Sequence, residues 1–321
     1  MILLLCLLSF FLCFVLVPPV IGISWRIGAV DIPADWRRMH RVSIPRGGGI
    51  AIFLAFLISV CAWGLPSRFL ACTLAGGTLL LTVGLADDIF CLGAGIKLFY
   101  QIVITMAAVL GSGISVGWGA VLSVLWVVTL TNAHNFIDGL DGLFAGCSAI
   151  EGGALCLIYA LMGATQAAVP CLLLSLSCLA FRYYNRYPAS VFAGDCGSGT
   201  VGFLLGMLSL PLFGELSLGM QSVAPLLIFA YPLTDLFTSV LRRLLRGKSP
   251  FYADRGHLHH RITAAGLTHP QCGGVLLAIS ASLSTVGVLI GMGGDPLPAS
   301  LACLAAVLLL MRIRRYILDF S

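Results

Sequence analysis

The chain has 321 residues, 59% of them apolar and only 10% charged, with a mean hydropathy of +1.04. Soluble domains carry about 25% charged residues, so this chain lacks the polar surface to coat a water-facing globule and leaves no room for a separate soluble domain. The formal net charge of +5 is not a nucleic-acid signal, because the basic residues fall where they orient membrane helices.

Apolar runs of the roughly 17–25 residues that a bilayer-crossing helix needs predict spans at 2–23, 47–63, 69–86, 99–116, 117–133, 143–162, 167–184, 199–218, 222–241, 272–292 and 298–311. The prediction is an all-α polytopic membrane protein of about eleven transmembrane helices, with residues 1–321 forming one domain. The first run has no basic residue before Arg26 and no A-x-A site, so it reads as a helix and not a cleaved signal. Placing the N-terminus outside makes 24–46, 87–98, 134–142, 182–198, 242–271 and the C-terminal tail cytoplasmic. Those stretches hold 17 of the 18 Lys and Arg residues, with only Arg68 outside. Nine of the 13 acidic residues fall on the same side, and the loops there are expected to build a site. The 12 cysteines lie mostly in apolar runs with no C-x-x-C pair, as small buried hydrophobes do.

In chain order, the first polar loop carries Asp31, Arg37, Arg38, His40, Arg41 and Arg46, then enters the second span through Gly47-Gly48-Gly49. The third span ends in Asp87-Asp88, adjacent carboxylates that repel unless a cation or hydrogen-bond donors compensate; the alternative is a solvated helix end. Lys97 is the lone basic residue of that loop, a cation that could compensate the pair or an ordinary interface anchor. The fifth span runs into Asn132-Ala-His-Asn135-Phe-Ile-Asp138-Gly-Leu-Asp141-Gly. If the helix persists, Asn132, Asn135, Asp138 and Asp141 share one stripe of oxygen ligands suited to a hard divalent cation such as magnesium. Glu151, mid-span, is either functional or a protonated acid hydrogen-bonded beside Ser148. Gly194-Asp195-Cys196-Gly197-Ser198-Gly199 opens an apolar helix and reads as an anion cradle with Asp195 as a metal ligand beside it. Asp235 lies in the inner half of its span. The 242–271 loop sets His257, His259 and His260 among six cations, which favours pyrophosphate over zinc, since zinc would want three or four ligands.

These strings resemble the bacterial polyprenyl-phosphate N-acetylhexosamine-1-phosphate transferases, the family of the MraY and WecA/TagO enzymes, and are more similar to the WecA/TagO type. The resemblance runs from about Val30 to Arg261 in five ordered blocks: V-D-x-P…R-x-x-H…I-P-R-x-G-G, the Asp pair with Lys97 and Gln101, N-x-x-N-x-x-D-G-x-D-G-L, G-D-x-G-S, and D-R-x-H-L-H-H-R. It implies an enzyme of the bacterial inner membrane, with its active site on the cytoplasmic face. That enzyme would transfer N-acetylhexosamine-1-phosphate from a UDP-sugar to undecaprenyl phosphate, release UMP, and so initiate a cell-surface glycan. Mg²⁺ is the implied cofactor, with Mn²⁺ as a substitute, and a homodimer is compatible with it. Carried onto this chain, the resemblance makes Asp87 and Asp88 the catalytic pair and Asp195 a metal ligand with Asn135 beside it. Lys97, Asn132, Asp138, Asp141, His257, His259 and His260 would contact substrate. One departure is Cys91, which stands where several WecA-type members have another Asp.

A nucleotide-sugar transporter is the alternative from a different class, but transporter sites lie near the bilayer midplane, whereas these acids sit at one interface. A CDP-alcohol phosphotransferase would need a D-G-x-x-A-R stretch, and Asp138-Gly139 is followed instead by Leu140-Asp141-Gly142.

Overall fold

The computed structural model describes residues 1–33, 42–215, 223–249, 262, 266–293, 297, 301 and 305. Among them run α1 (Ile2–Ile27), α2 (Gly48–Trp63), α3 (Arg68–Phe90), α4 (Ala94–Gly111), α5 (Trp118–Ile137), α6 (Leu143–Leu161), α7 (Thr165–Asn185), α8 (Gly194–Glu215), α9 (Ala224–Ile228), α10 (Ala230–Leu245) and α11 (His269–Gly291). Eight of these, α1, α3 to α8 and α11, are long and apolar enough to cross a membrane, and α2 is a shorter apolar helix of 16 residues. The fold is therefore a polytopic α-helical membrane protein. Ten of the eleven expected spans coincide with described helices, and the 298–311 span lies almost wholly outside the described residues.

Local chemistry sets the helix boundaries. Ser67 caps α3 by accepting from Leu70 N–H at 3.2 Å, and Thr268 with Gln271 forms a reciprocal capping box at the start of α11. Gly28 ends α1 in the left-handed conformation, φ 78°. The ninth expected span is broken in two at Phe229, and proline chemistry accounts for it. Pro232 has no N–H to return to the Ile228 carbonyl, and its ring would crowd that oxygen. The freed carbonyl accepts instead from the Ser284 hydroxyl of α11, at 3.1 Å.

A feature the all-α expectation did not include is a two-stranded antiparallel ribbon, β1 (Val30–Asp31) with β2 (Ile44–Pro45), pairing Val30 with Pro45 and Asp31 with Ile44. Phe192 N–H donates to the Pro45 carbonyl and Gly48 N–H to Phe192, so the ribbon is stitched to the segment that leads into α8. Helix α8 is the most enclosed of the membrane-length helices, while α1 and α4 lie at the periphery.

Contacts between helix ends gather residues 28–33, 42–47, 87–97, 135–142 and 185–195 at one end of the bundle, together with the start of α11, where His269 stacks on Tyr187 at 4.8 Å. Arg68 lies at the opposite end, its Nε donating to the Gly111 carbonyl at 2.7 Å.

Candidate active site

The site is built where the C-terminal ends of α3 and α5 meet the N-terminal ends of α4 and α8. Helix α3 carries Asp87 and Asp88 in its last turn, 7% and 4% exposed, so the pair is not a solvated helix end. Each acid has its own compensation. Lys97, one turn into α4, reaches back with Nζ 2.8 Å from Asp87 Oδ2 and 2.9 Å from Asp195 Oδ1, bridging two helices' carboxylates. It is thus no mere interface anchor. Asp88 turns the other way: its Oδ1 accepts from Asp195 N–H at 2.9 Å and its Oδ2 from Cys196 N–H at 3.0 Å.

That geometry corrects the reading of the 194–199 string. The first amides of α8 do bind an anion, but the anion is the protein's own Asp88 carboxylate, so the N-terminus of α8 is a docked joint and not an open cradle. Its glycines allow backbones to touch. A side chain on Gly194, φ 74°, would run into the Arg46 carbonyl and Asp88; one on Gly84 would meet Asp195 and Cys196; one on Gly49 would strike the backbone of Gly197. Gly49→Ala forces α2 off α8 and is expected to cost about 1–3 kcal/mol, the usual cost of overpacking. Thermal melting of the purified protein checks it, with a fall in midpoint as the expected result.

Asp195 is the hub. Its Oδ1 also accepts from Asn135 of α5 through a short hydrogen bond, and its Oδ2 lies 3.7 Å from Arg46 Nη2, whose Nε is 3.6 Å from Asp88. Arg46 stands just ahead of α2, and its chemistry was legible in the sequence only as part of a basic loop. Burial works to lower its pKa, but Asp88, Asp195, Asp138 and Asp87 outweigh burial and raise it. The guanidinium therefore stays charged and neutralises a site with more acids than cations.

The expected stripe of four on α5 holds for only part of its length. Asn132 donates to Gln101 of α4 at 2.8 Å, and Asn135 to Asp195. The helix ends at Ile137, Asp138 is its C-cap, and Gly142 takes φ 73°. Asp141 consequently leaves the stripe and accepts from Ala189 N–H at 3.0 Å, holding the turn against the loop before α8. Burial pushes the Asp138 carboxyl well above the usual carboxylate range, more than Arg46 pulls it down, with Asp195 and Asp88 adding to the rise.

Beside this cluster opens a small cleft, with Leu80, Val83 and Thr131 among its walls and Lys97, Asn135 and Asp195 at its polar edge. Cys91, three residues past Asp88, is exposed in a left-handed C-cap conformation, φ 53°. Glu151 is fully buried, and its partner is His134, at 2.7 Å; the Ser148 hydroxyl, the partner expected from sequence, makes no hydrogen bond to it. Asp235 is buried in α10. His257, His259 and His260 lie outside the described residues, as do Arg37, Arg38, His40 and Arg41.

The oxygen set fits a hard divalent cation. A cation already bridges Asp87 and Asp195 in the form of the Lys97 ammonium, and magnesium needs only one or two carboxylates when substrate phosphates and water complete its shell. Among the described residues, no three His, Cys, Asp or Glu side chains form an all-protein metal cage.

Comparison with known proteins gives the chain's family. The family model described as "Glycosyl transferase family 4" matches residues 70–212, a stretch that contains Asp87, Asp88, Lys97, Asn135 and Asp195. A Bacillus subtilis protein named probable undecaprenyl-phosphate N-acetylglucosaminyl 1-phosphate transferase is 37% identical over 277 residues, 79% of this chain and 75% of the relative. Proteins named undecaprenyl-phosphate alpha-N-acetylglucosaminyl 1-phosphate transferase from Yersinia pestis and from Escherichia coli K12 are 34% and 31% identical, each over 83% of this chain and 78% of the relative.

Proposed function

The chain belongs to glycosyl transferase family 4, and from that premise we propose that it transfers a sugar 1-phosphate from a UDP-N-acetylhexosamine to undecaprenyl phosphate, releasing UMP. N-acetylglucosamine is the sugar its named relatives point to. The observation that carries the reading is the cluster of Asp87, Lys97, Asn135 and Asp195, which borders a cleft walled partly by apolar side chains. A phosphate attached to a long hydrocarbon tail needs that pairing of charge and grease.

In the reaction an oxygen of the lipid phosphate bonds to the phosphorus that carries the sugar, and the bond from that phosphorus to the UMP oxygen breaks. Such a transfer asks the protein for little covalent help; it asks for neutralised charge and for attacking and leaving oxygens held nearly in line. Lys97 lies where it can hand its ammonium from the two carboxylates to a phosphate. Asp87, released from Lys97, would take the proton of the lipid phosphate. Asp88 serves the same chemistry by fixing the start of α8, and with it Asp195. Asn132, Asp138 and Asp141 are assigned to the nucleotide side of the site. His257, His259 and His260 are assigned to the diphosphate on sequence grounds. Magnesium, or manganese in its place, would be held by Asp195 with Asn135 and Asp87 beside it, and when bound would neutralise the diphosphate.

For the membrane, the proposal keeps eleven spans, an outside N-terminus and a cytoplasmic site at the bacterial inner membrane. The gathering of Arg46, Lys97, Arg182 and Arg186 at one end of the bundle, with Arg68 at the other, supports it. A transporter reading gains no support from the relatives' names, and these polar groups sit at helix ends, not at mid-membrane.

The test is UMP release by the purified full chain in nanodiscs, given undecaprenyl phosphate, Mg²⁺ and a panel of UDP-sugars. UMP should form only when lipid phosphate is present, and excess EDTA should lower the rate by ~10²-fold or more, as removal of a charge-neutralising centre does. UMP formation independent of lipid, or release of UDP, would overturn the proposal.

A further inference from the structure

His134 and Glu151 form a buried pair that the proposed reaction does not use. Both side chains are 0% exposed, and His134 Nε2 lies 2.7 Å from Glu151 Oε2. His134 Nδ1 is 2.8 Å from the Leu130 carbonyl. A carbonyl only accepts, so Nδ1 carries a hydrogen and the Nε2–Oε2 contact holds a single further proton. Whichever partner carries that proton, the pair as a whole is neutral, which is what lets it persist in an apolar interior. Glu151 Oε1 has no hydrogen-bond partner among the described residues, so the carboxyl's bonding is spent on His134.

The imidazole is held on its other sides as well. Phe144 of α6 and Phe229 stand edge-on to it, with ring centroids 6.5 and 6.1 Å away. Gly202 of α8 lies so close that a side chain there would meet the Leu130 carbonyl and His134 Cβ. The pair closes a loop of chain from His134 to Glu151 by a hydrogen bond, and that loop contains Asn135, Asp138 and Asp141. The next residue after His134 is Asn135, bonded to Asp195; two residues before it is Asn132, bonded to Gln101. The end of α5 is thus tied in three directions, to α4, α8 and α6, and Glu151 supplies the tie to α6.

We propose that Glu151 is a positioning residue for the transfer, acting through His134 to fix the end of α5 where Asn135 meets Asp195. The inference rests on the transferase reading above. A displacement of about 1 Å at a reacting centre costs on the order of 10²-fold in rate, so a loss of kcat is expected beyond any fall in thermal midpoint.

The experiment measures kcat, KM for the UDP-sugar and thermal midpoint for the full chain in nanodiscs, comparing the natural protein with three variants. Glu151→Ala should lower kcat by ~10²-fold with KM changed less than ~3-fold. Glu151→Gln, whose amide can donate to Nε2 of a neutral His134, should keep kcat within ~5-fold of the natural value. The double variant His134→Leu with Glu151→Leu separates positioning from stability, because an apolar pair replaces a buried ionic one at little or no stability cost. Its midpoint should recover while its kcat stays at least ~10-fold down. Natural kcat in that double variant, or a Glu151→Ala effect confined to the midpoint, would overturn the inference and leave the transferase reading standing. A natural protein that releases no UMP would instead sink the transferase reading itself, and this inference with it.

Discussion

Asp195→Asn is expected to lower UMP release by ~10³-fold or more at saturating Mg²⁺, the scale on which loss of one preorganised electrostatic group at a reacting phosphate is felt. Three donors converge on that one carboxylate, Lys97 at 2.9 Å, Asn135, and Arg46 at 3.7 Å. The amide keeps the volume and one acceptor oxygen but removes the charge that both holds Lys97 toward the cleft and would ligate a cation. The effect should fall on kcat, with a thermal midpoint close to that of the natural protein. A radiometric assay following sugar label into the lipid fraction checks it, and a rate within ~3-fold of natural would remove Asp195 from the site.

Asp88→Ala should lose both activity and stability, which distinguishes it from its neighbour. Its carboxylate is fully buried and accepts two backbone N–H groups at the start of α8. Losing such a cap, with charge-assisted bonds at a helix N-terminus, costs about 2–4 kcal/mol. Freed amides would also let Asp195 drift, so the rate should drop by ~10²-fold or more. Asp88→Asn, which can still accept through its one carbonyl oxygen, should fall between in thermal midpoint. Asp87→Asn should reduce the rate without an equal loss of midpoint, because Asp87 binds Lys97 and no helix end. Melting curves and initial rates on the same preparations decide it. Equal midpoints for Asp88→Ala and the natural protein would contradict the capping role.

Much of the architecture was legible from hydropathy and charge, because a helix in lipid must satisfy its own backbone and advertises its length as an apolar run. Ten expected spans coincide with described helices, and the acids and cations of four expected loops do meet at one end of the bundle. The split at Phe229 was signalled by Pro232 but lost inside a long apolar stretch. The ribbon of Val30–Asp31 with Ile44–Pro45 was hidden because two-residue strands carry no period. At the site, residue types revealed which side chains matter but not how they divide the labour. The adjacency of Asp87 and Asp88 gave no hint that one faces Lys97 and the other faces the amides of α8. Arg46 went unassigned because a lone arginine among five in a loop has no local signature. The string around Gly197 reads in sequence as an anion cradle, whereas Gly197, like Gly49 and Gly84, lets helices approach one another. The His134–Glu151 bond spans 17 residues across a turn, beyond any helical spacing that sequence alone could exploit.

The most direct measurement follows two labels at once, with ³²P on the sugar-bearing phosphate of UDP-N-acetylglucosamine and ³H on the sugar. In nanodiscs containing undecaprenyl phosphate, both labels should pass into lipid in a 1:1 ratio, matched by one UMP per lipid product, and Asp195→Asn should stop all three together. Sugar label reaching lipid while ³²P stays with the nucleotide would mean that the sugar alone is moved, and would contradict the account.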